Sequence, residues 1–165
     1  MSAMMWHMTH EKMEQSLIII KPDALQRSLV GEIITRFERK GLAIIGLKMM
    51  HLKGAIVQDH YSHIKDKPFF PRIERFMTST PVIVMAVQGM AAIDAIRIIV
   101  GPTKSFEAAA GTIRGDYALS MQSNIVHASD SKESAVAEIA RFFKEEEIFE
   151  YEKINTAFVH SDELM

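Results

Sequence analysis

Pro81–Gln88 reads P-V-I-V-M-A-V-Q, an apolar, β-branched run of strand length bounded by a proline and a glutamine. A run of this kind is a buried strand, and its neighbours take their places from it. Upstream, Ser16–Lys21 (S-L-I-I-I-K) is a second such run, stopped by the turn Lys21-Pro22-Asp23, and Leu42–His51 is again apolar and β-like. Between those two, Leu29–Lys40 sets Val30, Ile33, Ile34 and Phe37 at helical spacing, with Gly41 as its stop. Residues 54–64 and 69–78 read as two short helices divided by Lys67-Pro68. Downstream, Met90–Val100 reads as a helix with Ile93, Ile96, Arg97 and Val100 close together around its circumference.

Residues 101–123 hold Gly101, Pro102, Gly111 and Gly115 and few periodic apolar positions. They read as a long irregular segment, and such loops in compact domains are usually functional or disordered. Asn124–Ala128 reads as a short strand. Asp130, with Glu133 three residues on, reads as a capping box opening a helix through Phe143. The order is strand, helix, strand, helices, strand, helix, loop, short strand, helix. That order fits an α+β layer close to the ferredoxin-like split β-α-β pattern.

The 165 residues suffice for one domain, and 48% hydrophobic with 24% charged residues is ordinary for a globular chain with a real core. No cysteine is present, which excludes a disulfide scaffold, a thiol nucleophile and any cysteine-ligated metal, and suits a reducing compartment. A formal net charge of −2 supplies no broad basic field for nucleic acid, though small anions remain possible where a few cations converge. The apolar runs are too short to span a bilayer and Met1–Gln15 lacks the apolar region of a secretory signal, so the cytoplasm is the expected location.

His127, in N-I-V-H-A-S-D-S, precedes a capped helix and has a hydroxyl two residues on. An imidazole with a free nitrogen attacks phosphorus near neutral pH, and a helix N-terminus offers unpaired N–H groups to anionic oxygens. Glu138, two turns into the same helix, could orient the ring. The plainer reading is a partly buried histidine bonded to backbone. Lys21 ends a strand, where ligands tend to meet a sheet, or is simply a solvated cation. Arg97 among isoleucines implies an anionic partner, carboxylate or phosphate. Arg114 lies between glycines in G-T-I-R-G-D, and its plainer reading is a loop salt bridge with Asp116. With Thr103 and Asn124 as neutral donors, the three cations could position a phosphoryl group without much covalent help. Neither a P-loop nor a G-x-G-x-x-G is present. His51, His60 and His63 read as surface histidines, because no acidic or thiol set completes a metal site around them.

From about Met13 to Phe158 the chain resembles the nucleoside diphosphate kinases. The resemblance rests on six segments in order: L-I-I-I-K-P-D-A at 17–24, Q-R-S-L-V-G-E-I at 26–33, R-F-E-R-K-G at 36–41, K-D-K-P-F-F-P at 65–71, G-T-I-R-G-D at 111–116 and N-I-V-H-A-S-D-S at 124–131. It implies a ferredoxin-like α/β sandwich, a four-stranded antiparallel sheet covered by helices. By resemblance, His127 is the histidine that is phosphorylated, with Ser129 and Glu138 supporting it. Lys21, Tyr61, Arg97, Thr103, Arg114 and Asn124 hold the nucleotide phosphates and sugar. Phe69 stacks on the base with Ile73 beside it, which tolerates every base because each has a π-face. Mg²⁺ is implied on the nucleotide phosphates, with no cage from the protein alone.

The implied reaction is ping-pong transfer of a γ-phosphate from a nucleoside triphosphate such as ATP to a nucleoside diphosphate. The implied partners are nucleoside di- and triphosphates and copies of the same chain, as a hexamer rather than a tetramer. Neither nucleic acid nor membrane is expected. A regulatory relative without turnover and a phosphohistidine carrier to proteins are the alternatives. Residues 1–12 are expected to be a flexible leader, 13–152 the kinase domain, and 153–165 a tail that could pack on a neighbouring subunit. The chain departs from the family pattern at Ala128, where glycine is usual and where a positive φ would strain an alanine. It departs again at Lys104-Ser105, where Asn-Pro is common, and at Gln122-Ser123, where an arginine often precedes the asparagine.

Overall fold

The computed structural model describes residues 13–151, 153, 154 and 159. The leader expected over residues 1–12 lies outside the described residues, as does most of the expected tail. Four strands form one antiparallel sheet: β1 (Met13–Ile20), β2 (Ala43–Met50), β3 (Val82–Met90) and β4 (Val126–Ala128), in the spatial order β2-β3-β1-β4. The helices are α1 (Pro22–Gln26), α2 (Val30–Arg39), α3 (Gly54–His60), α4 (Phe70–Met77), α5 (Ala92–Val100), α6 (Ile113–Tyr117) and α7 (Lys132–Phe142). This is the α+β sheet covered by helices that the order of apolar runs implies.

β1 explains why the two central strands read as unbroken apolar runs. Leu17, Ile18, Ile19 and Ile20 are all fully buried. With a period of two, successive side chains face opposite layers. Ile18 and Ile20 pack with Ile33 and Phe37 of α2 and Ile96 and Val100 of α5. Leu17 and Ile19 pack on the other face with Val57 of α3, Met77 of α4 and Ile139 and Phe142 of α7. Burying each such side chain is worth roughly 1.5–3 kcal/mol, so a polar residue anywhere in the run would open one of two cores. Among the described residues, no helix is long and apolar enough to cross a membrane.

The local signals explain most boundaries. Gly41 (φ 98°) closes α2: Leu42 N–H donates to Phe37 O at 3.3 Å and Gly41 N–H to Glu38 O at 3.0 Å, the paired bonds of a Schellman motif. Two expectations need correction. The capping box predicted at Asp130 is absent; Ser131 is the N-cap of α7, its Oγ accepting from Ser134 N–H at 3.1 Å. Residues 101–123 are less irregular than predicted, because α6 sits inside them, capped by Thr112 Oγ1 accepting from Gly115 N–H at 2.9 Å. A methyl group on Gly115 would run into the carbonyl oxygen of Ala109, so this tight turn needs a glycine for space. Past α7 the chain returns along β2: Phe149 N–H donates to Ile45 O at 2.7 Å and Tyr151 Oη to Ile44 O at 2.9 Å.

Candidate active site

β4 carries the central residue. It pairs with β1 in the register Ile18–Ala128, Ile19–His127 and Ile20–Val126. Val126 and Ala128 point into the core beneath α2 and α5. The alternation turns His127 to the opposite face, toward α3 and α7. Ala128 is not at positive φ, so the strain that a glycine-requiring position would impose does not arise. Ser129 extends the ladder with its side chain: its N–H donates to Leu17 O at 3.1 Å, and its Oγ accepts from Leu17 N–H at 3.0 Å.

α7 presents Glu138 to this strand end. Its two carboxylate oxygens each lie 3.1 Å from His127 Nε2, and Ser129 Oγ donates to Oε2 at 2.6 Å. Burial raises the Glu138 pKa, but the hydrogen bonds from His127 and Ser129 outweigh it and the net shift is downward. An ionised carboxylate has no proton to donate, so Nε2 carries the hydrogen and Nδ1 the lone pair. No hydrogen bond within the described residues engages that Nδ1. Of the sequence readings, the nucleophile with its orienting carboxylate thus gains support over a histidine bonded to backbone.

Just before β4 the chain makes a strained turn. Val126 N–H donates to Asn124 O at 2.8 Å across Ile125, whose φ is 72°. A β-branched residue at positive φ in a three-residue turn is costly. Its neighbours fix it in place: Lys21 N–H donates to Ile125 O at 2.9 Å, and Ile125 N–H donates to Asp23 Oδ2 at 3.1 Å. Such strain persists where the surroundings over-determine it, and that is common at functional sites. Here it holds Asn124 against the end of β1, where Lys21 Nζ donates to Asn124 Oδ1 at 2.5 Å.

Three cations meet beside this turn. Arg114 is 3% exposed and forms no ion pair with Asp116, contrary to the loop salt bridge considered from sequence; Asp116 pairs with Arg36 at 2.6 Å. Arg114 instead donates to three carbonyls: Gly101 O at 2.8 Å, Val126 O at 2.7 Å and Asn124 O at 3.3 Å. Burial, then nearby Arg97, pushes its pKa down to about 10. Lys21, 8% exposed, is pushed down to about 7 by burial and then by Arg114, with Asp23 opposing. Arg97 is half-buried on α5, and no described carboxylate pairs with it. Cations held together at this cost imply an anion that comes and goes.

These residues open onto a cavity of about 1010 Å³. Of the sequence candidates, Lys21, Tyr61, Phe69, Ile73, Arg97, Thr103, Arg114, Asn124, His127 and Glu138 line it, while Ser129 lies behind Glu138. Phe69 is 49% exposed at the start of α4 and lines the cavity. Burial raises the Tyr61 pKa, keeping its hydroxyl a neutral donor. Gln122 Nε2 donates to Arg72 O at 3.0 Å and ties the long loop to α4 across the rim.

The surface reading of His60 is wrong. His60 is 7% exposed and packs edge-on against His127, with ring centroids 4.5 Å apart. The missed signal was periodic: Val57, three residues earlier, is 1% exposed, so His60 shares the buried face of α3. His51 and His63 are exposed, as expected.

The sequence profile of a family described as nucleoside diphosphate kinase matches residues 14–148. A nucleoside diphosphate kinase of Parabacteroides distasonis is 51% identical over 151 residues, 92% of this chain and 99% of that one. The Bacillus cereus enzyme is 45% identical over 90% of this chain and 100% of its own. Among solved structures, a halophilic nucleoside diphosphate kinase from Halobacterium salinarum in complex with CDP superposes with a TM-score of 0.86 at 38% identity, covering 88% of this chain and 97% of that one. A nucleoside diphosphate kinase family protein from Babesia bovis also superposes with a TM-score of 0.86, at 43% identity over 88% and 99% of the two chains.

Proposed function

The chain belongs to the nucleoside diphosphate kinase family and is a phosphotransferase acting on nucleotides, and we propose that it works by carrying the phosphoryl group on His127 Nδ1. The observation behind this is the tie between His127 Nε2 and Glu138, which leaves Nδ1 as the free nitrogen beside a cavity walled by Lys21, Arg97 and Arg114.

The Nδ1 lone pair attacks the γ-phosphorus of a nucleoside triphosphate. An N–P bond forms, the bond from γ-phosphorus to the β–γ bridging oxygen breaks, and the diphosphate leaves. The imidazole gains positive charge as the bond forms, and Glu138 stabilises it, as the buried carboxylate of a catalytic triad does. A terminal oxygen of an incoming diphosphate then attacks the same phosphorus and His127 is regenerated. The cations supply charge where the transferring oxygens gather it, which is the greater part of phosphoryl-transfer catalysis. Asn124 and Thr103 act as neutral donors, and the Phe69 ring with Ile73 beside it takes the base by stacking.

Mg²⁺ fits this site as a passenger on the nucleotide. Among the described residues, Glu138 and Asp130 are the carboxylates that line the cavity, and Glu138 is already engaged by His127 and Ser129, too few for an all-protein octahedral cage. Bound with the nucleotide, the ion would neutralise phosphate charge, and Asp130 is the cavity carboxylate left to help hold it.

The reading extends to a cytoplasmic homo-oligomer, hexameric rather than tetrameric. Exposed Leu47 and Met49 on edge strand β2 (50% and 62%) support self-association, and a monomer in sedimentation velocity would refute it. Initial rates with ATP and a mixed pool of nucleoside diphosphates test the reaction. Parallel double-reciprocal lines with every base accepted are expected; intersecting lines would exclude a phosphoenzyme route.

A further inference from the structure

We propose that His60, His127 and Glu138 form a binding site for a divalent ion of borderline softness, best suited to Zn²⁺, and that the bound ion withdraws His127 from phosphoryl transfer.

The starting point is His60. Its side chain is 2% exposed, and neither ring nitrogen has a hydrogen-bond partner among the described residues. Leaving a buried polar atom without a partner costs roughly 1–3 kcal/mol. The phosphotransfer route above uses neither nitrogen. Nδ1 faces Glu138 Oε1 at 3.9 Å, beyond hydrogen-bonding distance but within reach of an ion placed between them. The ring is wedged edge-on between Tyr61, His127 and Phe142, which fixes its orientation.

The donor geometry matches. One ligand atom from each of the three residues lies within 4.8 Å of the others. Bonds of 2.0–2.1 Å to nitrogen and oxygen in a tetrahedral site put neighbouring donors roughly 3.3 Å apart. His127 Nε2 and Glu138 Oε1 already stand 3.1 Å apart. The His60 donor must close its 3.9 Å gap to Glu138 by roughly 0.6 Å, and its separation from His127, within 4.8 Å, by up to roughly 1.5 Å, through movement at the end of α3. Two imidazoles and a carboxylate with a fourth position open to a cavity is a common open zinc arrangement. Mg²⁺, which demands six oxygens, does not compete for it.

The chemistry balances. The buried His60 ring has no hydrogen-bond partner on either nitrogen among the described residues, so a lone pair is available. His127 shifts its hydrogen from Nε2 to Nδ1, so that the Nε2 lone pair takes the ion and the ring stays neutral. Glu138 then offsets part of the ion's charge and no longer accepts from His127, and Nδ1, now carrying the ring hydrogen, has no lone pair for phosphorus. This last consequence rests on His127 being the phosphoryl carrier; the binding claim does not.

The test uses the full chain, chelator-treated and free of nucleotide, titrated with ZnCl₂ by calorimetry in two buffers of different ionisation enthalpy. The expected result is one ion per chain, with the same stoichiometry in both buffers. Binding should weaken at least tenfold in His60→Phe, which keeps a ring against Tyr61 and Phe142, and should be unaffected by a His7→Ala/His10→Ala pair. Where His60→Phe does not fold, Glu138→Gln must show the same loss. Absence of binding, equal affinity in the variants, or loss with the His7/His10 pair overturns the site. Labelling from γ-labelled ATP and Mg²⁺ at buffered free Zn²⁺ reads the consequence: wild type loses label as Zn²⁺ rises, with a midpoint at least tenfold lower than in His60→Phe. A chain that never takes label but binds Zn²⁺ through His60 overturns the phosphotransfer route and leaves the metal site standing. A chain that labels normally and binds Zn²⁺ equally without His60 overturns the metal site alone.

Discussion

Glu138→Gln removes one charge and preserves the shape of the side chain. In the structure that charge stands 3.1 Å from His127 Nε2. At an effective dielectric constant of about 20, a full charge on the ring at that separation is worth about 5 kcal/mol. Solvent at the cavity mouth screens it, since the two side chains are 20% and 13% exposed. Halving it leaves about 2–3 kcal/mol in the phosphorylation transition state, or a rate lowered roughly 30–150-fold. Nucleotide affinity should hardly move, because Glu138 faces the ring and not the phosphate cations. Rapid-quench single-turnover phosphorylation by ATP, with nucleotide binding measured separately, reads both. A loss below threefold, or a loss confined to binding, would mean that the carboxylate only fills space and the charge argument fails.

Ser129→Ala should orphan the buried Leu17 N–H, costing about 1–3 kcal/mol, and lower Tm by roughly 2–4 °C for each kcal/mol; unchanged thermal unfolding would show that another group satisfies that N–H. Lys21 sits near pKa 7 in the free protein, so at pH 8 much of it is neutral. A bound phosphate raises that pKa, so nucleotide binding should take up protons at pH 8 and far fewer at pH 6. Calorimetry in buffers of different ionisation enthalpy gives the number, and no buffer dependence at pH 8 would contradict the buried-lysine account.

The sheet was legible because β1 and β3 are buried on both faces and so read as unbroken apolar runs, and Gly41 marked the end of α2 by its backbone demand alone. The site was legible by contrast mainly through the six family segments taken in order; spacing by itself left a histidine bonded to backbone as the plainer reading. Arg114 could not be read correctly from its neighbours in sequence, because its three carbonyl partners come from residues 101, 124 and 126, brought to it only by the fold. His60 was missed for a related reason. Its histidine and carboxylate neighbours lie 67 and 78 positions away in the chain, while the residues next to it looked like a polar surface. The capping residue of α7 was off by one because Asp130 and Ser131 are both good caps, and only the backbone shows which one accepts.

The proposed reaction turns on which atom takes the phosphate. The full chain should be incubated with ATP and Mg²⁺ without acceptor, and the phosphorylated residue and its nitrogen identified by mass spectrometry and phosphorus NMR. Nδ1-phosphohistidine at position 127 is expected, discharged on addition of a nucleoside diphosphate. Phosphate on Nε2, on another residue, or on none while ATP still binds would contradict it.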